Sequence, residues 1–195
     1  MSVPVVTKRV TLQVESCDYI PDVKIIKPKV FPDDRGFFSE TYNKKEWNEE
    51  INFVESFEQD NHSFSRYGVL RGLHAQDGMG KLVSVIQGEI FDVAVDVRKG
   101  SPTFGKWFGA ILNSENKHAL WVPDGFLHGF QCLSAGGAHV TYKCTSTYNP
   151  ATEYGVNPFD ETIAVNWPIS DKTEIIVSER DTQHKNLKDI FPDYN

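Results

Sequence analysis

The chain has 195 residues, of which 39% are hydrophobic, 24% charged and 12% aromatic. These are the proportions of one folded globular domain and exclude a disordered tail. The net charge of −7, from 20 Lys and Arg against 27 Asp and Glu, opposes docking on nucleic acid or on an anionic membrane surface. It leaves room for a small anionic ligand, because a few cations in a cleft set a local field of opposite sign.

In chain order, residues 1–20 read as an N-terminal extension, and VTLQV at 10–14 alternates as a strand does. That segment is expected to add to a sheet or to a partner subunit. No apolar run here is long enough for a signal peptide or a membrane span, so a cytoplasmic setting is expected. A short helix is predicted over 43–51, with Asn43 as its cap and Glu46 three residues on, the spacing of a capping box. From Lys81 onward the pattern turns to short strands: LVSVI, EIFDVAVDV, GAIL, HALWV, GFQCL and HVTYKCT, separated by Gly, Pro, Asn or Ser. Such spacing suits an all-β sandwich, barrel or jelly roll. The last twenty or so residues have room for one or two helical turns. No repeat or linker divides the chain, so 1–195 is read as one domain.

The strand over 90–98 places Phe91, Val93, Val95 and Val97 on one face and Asp92, Ala94, Asp96 and Arg98 on the other. Either the acidic face is solvated, or Asp92 and Asp96 line a polar cavity inside a barrel. The three cysteines (Cys17, Cys132, Cys144) are an odd number with no CxxC pair. They suggest neither a disulfide framework nor a zinc or redox motif.

Three segments carry more chemistry than packing needs: DDRGFFSE (33–40), QDNHSFSRYGVLRGLHAQ (59–76) and PDGFLHGF (123–130). Gly permits close backbone approach, Arg offers a planar donor fork for phosphate, and His exchanges protons near neutral pH. Each residue also has an ordinary reading. His74 and His128 fit structural hydrogen bonding, Arg35 and Arg71 surface ion pairs, and Lys81 a solvated strand edge. Tyr142 shares a face with Val140 and Cys144 and fits a core, and Asp181 fits a cap or a surface charge. PDGFLHGF matches the P-x-G-x-x-H pattern of cupin barrels, many of which bind a metal. The H-x-H partner is missing, because Ala75 and Gln76 follow His74. His74, His128, Gln76 and Glu89 make a poor ligand set, and no metal is expected.

Across these segments the sequence closely resembles the dTDP-4-dehydrorhamnose 3,5-epimerase family. The resemblance runs through KPKVFPDDRGFFSETYN, QDNHSFSRYGVLRGLH, GKLVSVIQGEIFDVAVDVRKGSPTFGKW, LNSENKHALWVPDGFLHGFQCLS, YKCTSTYNP, the later Trp167-Pro168 and SERD, about residues 22–181. It implies a cupin-like β-jelly roll, a homodimer, and a dTDP-linked 4-keto-6-deoxyhexose substrate of deoxysugar biosynthesis. It implies no metal, flavin or nicotinamide cofactor, and the chain has no Gly-rich dinucleotide fingerprint.

Carried over by motif, His74 resembles the general base, Asp181 the carboxylate that orients it, and Tyr142 the general acid. Lys81 and Arg71 resemble groups around the sugar and diphosphate. Arg35, Glu40, Gln59, Asn61 and His128 resemble further binding residues, with Arg35 and Glu40 supplied by a partner subunit. Asp92 falls where the family's pocket-lining strand carries an Asp. Two departures bear on substrate choice: Ala75 stands where an aromatic is usual, and the loop at 76–81 is short. The competing readings are a mono-epimerase or ketoisomerase on another nucleotide sugar, a metal-dependent cupin enzyme, and a non-catalytic sugar-nucleotide binder.

Overall fold

A computed structural model describes residues 11–51 and 56–193. Two antiparallel sheets carry the chain. The first contains β1 (Leu12–Ser16), β2 (Lys24–Pro28), β5 (Gln59–Ser65), β7 (Lys81–Gln87), β10 (Ala119–Val122) and β12 (Ala138–Cys144), in the order β1-β2-β10-β7-β12-β5. The second runs β13-β6-β11-β8-β9, from β6 (Val69–Gln76), β8 (Glu89–Asp96), β9 (Trp107–Asn113), β11 (Phe126–Cys132) and β13 (Glu153–Gly155). A two-residue β14 (Ile176–Val177) pairs in parallel with β6. The hairpin β3 (Val30–Asp33) and β4 (Gly36–Ser39) stands apart from both sheets. Apart from β1–β2 and β8–β9, neighbours in each sheet are not consecutive in sequence, which is the crossing pattern of a jelly roll, the fold that the family resemblance implied among those the strand spacing allowed.

The expected helix is α1 (Lys44–Ile51), and Asn43 caps it by accepting from the Lys45 and Glu46 amides at 3.1 and 3.4 Å. The other half of the predicted capping box is absent. Glu46 instead accepts from the backbone N–H and hydroxyl of Thr11, tying α1 to the start of β1. The two C-terminal turns are α2 (Glu179–Thr182) and α3 (Leu187–Ile190). Of the predicted N-terminal extension, residues 1–10 lie outside the described residues. Leu12–Ser16 is an integral strand, paired with β2 and with Leu12 buried. Residues 59–76, read from sequence as a functional segment, form strands β5 and β6.

One core lies between the sheets and includes Val83, Ile90, Leu112, Leu120, Phe126 and Val140. A second lies on the outer side of the second sheet, where the C-terminal segment covers Leu73, Val93, Val95 and Leu127 with Val156, Ile163, Trp167 and Leu187. Each fully buried side chain of this kind contributes about 1.5–3 kcal/mol. The second sheet is therefore covered on both faces. This decides the reading of β8: its valines pack under the C-terminal segment, and Asp92 and Asp96 are fully buried. The acidic face looks into the barrel and is not solvated.

Asp96 shows how a buried carboxylate is supported. It accepts from the Arg98 guanidinium and from the hydroxyls of Ser101 and Thr103, each at 2.6 to 3.0 Å. Burial alone raises its pKa, but these donors outweigh burial and bring it down to about 2. The depressed value adds stability above the ordinary carboxylate range of about 3.9, and this is lost as pH falls toward 2. Asp96→Asn is expected to cost about 2–4 kcal/mol at pH 7, read by urea unfolding. It should also flatten the loss of stability between pH 5 and 2. A wild-type pH slope in the variant would assign that slope to other carboxylates.

Candidate active site

At one end of the barrel a cleft of about 750 Å³ opens between the sheets. On the first sheet strand alternation explains who reaches it, since every second side chain of a strand faces the same way. On β6 the positive φ of Gly72 and the register shift opposite it break that rule, so Arg71 and His74, three residues apart, both line the cleft. From the first sheet come Gln59, Asn61 and Ser63 of β5, Lys81 at the start of β7, and Tyr142 and Cys144 of β12. The pairing holds them together: Tyr142 lies opposite Asn61, and Cys144 opposite both Gln59 and Lys81. From the second sheet come Arg71 and His74 of β6 and His128 of β11, with His128 opposite His74.

His74 is an imidazole of the cleft that is paired with a buried carboxylate. Its Nε2 lies 2.7 Å from Asp181 Oδ1, and its side chain is 29% exposed to the cleft. The Asp181 side chain is only 6% exposed. Ser178 caps α2 by accepting from the Asp181 amide at 3.1 Å, which aims the carboxylate back at β6. The Gly72 amide donates to the other carboxylate oxygen at 3.2 Å. Burial pushes the Asp181 carboxyl up, but the His74 contact, the Gly72 amide and Ser178 together hold it below the ordinary value. Asp181 thus stays ionised beside the imidazole.

Gly72 is required by space as well as by conformation. Its φ is +116°, and a β-carbon there would lie 2.6 Å from the Gly129 Cα and 2.8 Å from the His128 carbonyl. Gly72→Ala is expected to separate β6 from β11 and to cost more than about 2 kcal/mol, read as a lower denaturation midpoint. An unchanged midpoint would show that the strands can part there without cost.

Lys81 is buried, contrary to the solvated strand-edge alternative. Burial pushes its amine down, against the opposing pull of Cys144, Glu153, Asp124 and Asp92. Burial and then Cys144 raise the Tyr142 phenol, with Arg71 opposing. Tyr142 therefore keeps its proton at neutral pH. Beneath the cleft, Asp92 Oδ1 meets His128 Nε2 at 2.7 Å. Burial raises Asp92, against the charges of His128 and Lys81. Arg71 donates to Ser65 Oγ at 2.9 Å and to the Phe64 carbonyl at 3.1 Å, so its fork is partly committed.

Of the eleven residues singled out from sequence, His74, Asp181, Tyr142, Lys81, Gln59, Asn61, Arg71 and His128 line this one cleft, and Asp92 supports it from below. Arg35 and Glu40 are not on its lining. The Arg35 side chain is 90% exposed and pairs with Asp33 at 2.5 Å, on the turn joining β3 to β4. Glu40 accepts from Thr11 Oγ1 and Asn43 Nδ2.

The four-residue metal set weighed from the cupin motif is not assembled. Gln76 is held by Ser146, Thr147 and Asn149, and Glu89 by Asn113. Sequence reasoning missed a polar wall of the cleft. Tyr148 and Arg180 both donate to Glu153 Oε2, at 2.9 and 2.6 Å. No local motif announced Glu153. Arg180 was within reach, because it precedes Asp181 in SERD.

Comparison with known proteins agrees with this architecture. The family model described as dTDP-4-dehydrorhamnose 3,5-epimerase matches residues 18–189. A protein of that name from Salmonella typhimurium is 52% identical over 159 residues, covering 80% of this chain and 86% of the relative. One from Neisseria gonorrhoeae is 51% identical over 168 residues, covering 85% of this chain, which spans 50% of that longer protein. The crystal structure of dTDP-6-deoxy-D-glucose-3,5-epimerase from Legionella pneumophila, in complex with dTDP-4-keto-L-rhamnose, superposes with a TM-score of 0.86 at 45% identity. That match covers 91% of this chain and 93% of the other. With a family model spanning most of its length and relatives this similar, the chain belongs to the dTDP-4-dehydrorhamnose 3,5-epimerase family.

Proposed function

We propose that the protein epimerises a dTDP-linked 4-keto-6-deoxyhexose at C3, C5 or both, by proton removal and return beside the C4 ketone. The observation that carries this is the His74–Asp181 pair sharing one cleft with Tyr142 and Lys81. His74 takes the proton next to the ketone. With Nε2 on Asp181, its Nδ1 is the nitrogen left to accept it, and the carboxylate stabilises the imidazolium. The electron pair moves into the carbonyl, forming an enolate whose oxygen needs a cation or donor aimed at it. Lys81 is suited to this. A dianionic substrate favours its charged form, opposing the effect of burial. Tyr142, from the facing sheet, delivers a proton to the opposite face of the carbon and inverts it. Arg71 supplies positive charge for the diphosphate.

The enzyme works as a homodimer in this reading, with Arg35 and Glu40 reaching the partner's cleft. Phe37 and Phe38 on the β3–β4 hairpin are 61% exposed each, and Phe37 borders an apolar groove with Ile26, Leu82 and Ile86. Such a patch is unusual on the surface of a monomer. No helix among the described residues is long and apolar enough to cross a membrane, and a cytoplasmic location suits a nucleotide-sugar substrate.

Incubation with the dTDP-4-keto-6-deoxy sugar in deuterated water tests the reaction. Deuterium is expected at C3, C5 or both, with inverted products by NMR. Inversion at one carbon only would mark a mono-epimerase. No deuterium with any 4-keto nucleotide sugar would end the proposal.

A further inference from the structure

A second imidazole stands beside the His74–Asp181 pair, and the reaction above does not use it. His184 follows α2, and its Nε2 lies 3.7 Å from Asp181 Oδ1. Its ring meets the His74 ring edge to face at 5.5 Å between centroids. The nitrogen is buried and has no hydrogen-bond partner. It sits over Gly155, which lies opposite His74 on β13, and a β-carbon on Gly155 would collide with the imidazole. The missing side chain at 155 thus leaves the space that His184 fills. Among the described residues, His74, Asp181 and His184 are the one group of three or more His, Cys, Asp or Glu side chains whose ligand atoms all lie within 4.8 Å of one another.

We propose that His74, Asp181 and His184 form a binding site for a divalent transition ion of the zinc class, and that the bound ion inhibits the enzyme. Two imidazole nitrogens and one carboxylate oxygen are the donor types of a three-ligand zinc site, whose fourth position stays open. The spacings of 2.7 and 3.7 Å bracket the roughly 3.3 Å edge of a tetrahedron with bonds of about 2.0–2.1 Å. The ion would take the place of the proton shared by His74 Nε2 and Asp181. A neutral His74 bound through Nε2 then keeps its proton on Nδ1. The lone pair that accepts the substrate proton is gone, and activity stops.

The binding half stands on the side chains alone. The inhibitory half rests on His74 being the base. Calorimetry with Zn²⁺, and visible spectra with Co²⁺ as a geometric probe, are run on wild type, His184→Ala and His184→Phe. The Phe variant keeps a ring over Gly155 without a ligand atom. Wild type is expected to bind one ion per chain, with tetrahedral Co²⁺ bands. Both variants should bind at least about 10-fold more weakly, since losing a direct ligand costs no less than losing an outer-shell partner. Thermal melts confirm that the variants fold. Wild-type affinity in both variants, or no stoichiometric binding by wild type, overturns the site. Zn²⁺ that binds stoichiometrically and is lost in the variants, yet leaves the epimerisation rate unchanged, overturns the inhibition and removes His74 from the role of base.

Discussion

His74→Asn is expected to lower kcat for epimerisation by on the order of 10³–10⁴-fold with little change in KM. The side-chain amide keeps a donor toward Asp181 but has no lone pair basic enough to take a proton from carbon. Binding contacts elsewhere in the cleft remain, so the loss falls on the chemical step. Deuterium entry from solvent should fall with product formation, because both need the same first proton transfer. Activity within tenfold of wild type would move the base to another residue. Asp181→Asn should lie between that variant and wild type, since the imidazole would lose its tautomer control and its charge partner.

Tyr142→Phe separates the two proton transfers. Without the phenol, His74 can still remove the proton and return one to the same face. The expected result is deuterium at the reacting carbon with the original configuration kept, and product formation lower by about 10²–10³-fold. Loss of exchange as well as inversion would place Tyr142 in binding or in the first transfer. Normal inversion would remove it from the mechanism. The variant is expected to keep its fold, because Tyr142 lines the cleft and the ring that packs against the core is retained in Phe.

The elements that were legible in the sequence share a physical cause. β7 to β12 showed themselves as short strand-like runs separated by turn residues, because the sheets pack through apolar side chains that these strands must supply. The α1 cap was legible because Asn43 acts on amides two and three residues away. The partner of Glu46 was not, because Thr11 is 35 residues distant. β5 and β6 were hidden by their polar inward positions: Gln59, Asn61, Ser63, Arg71 and His74 face a cleft and not a core, so the alternation of hydrophobicity is lost there. The same cause made β8 ambiguous. Its acidic residues look solvated in sequence, yet the C-terminal segment covers the opposite face and leaves Asp92 and Asp96 inside.

The sequence by itself determined that this is one acidic all-β chain of the epimerase family, with His74, Tyr142, Lys81 and Asp181 as its reactive candidates. The charge and the all-β class were read from composition and short-range pattern, and the family and its reactive candidates from the resemblance that the long collinear motifs carry. None of these needs a contact between distant parts of the chain. Only the tertiary structure decided which candidates meet. It brought Asp181 across 107 residues onto His74, buried Lys81, and set His184 against the same carboxylate, while leaving Arg35 and Glu40 off this chain's own cleft. Hydrogen bonds and ion pairs act over about 3 Å, and distance along the chain says little about distance in space until the sheets have closed.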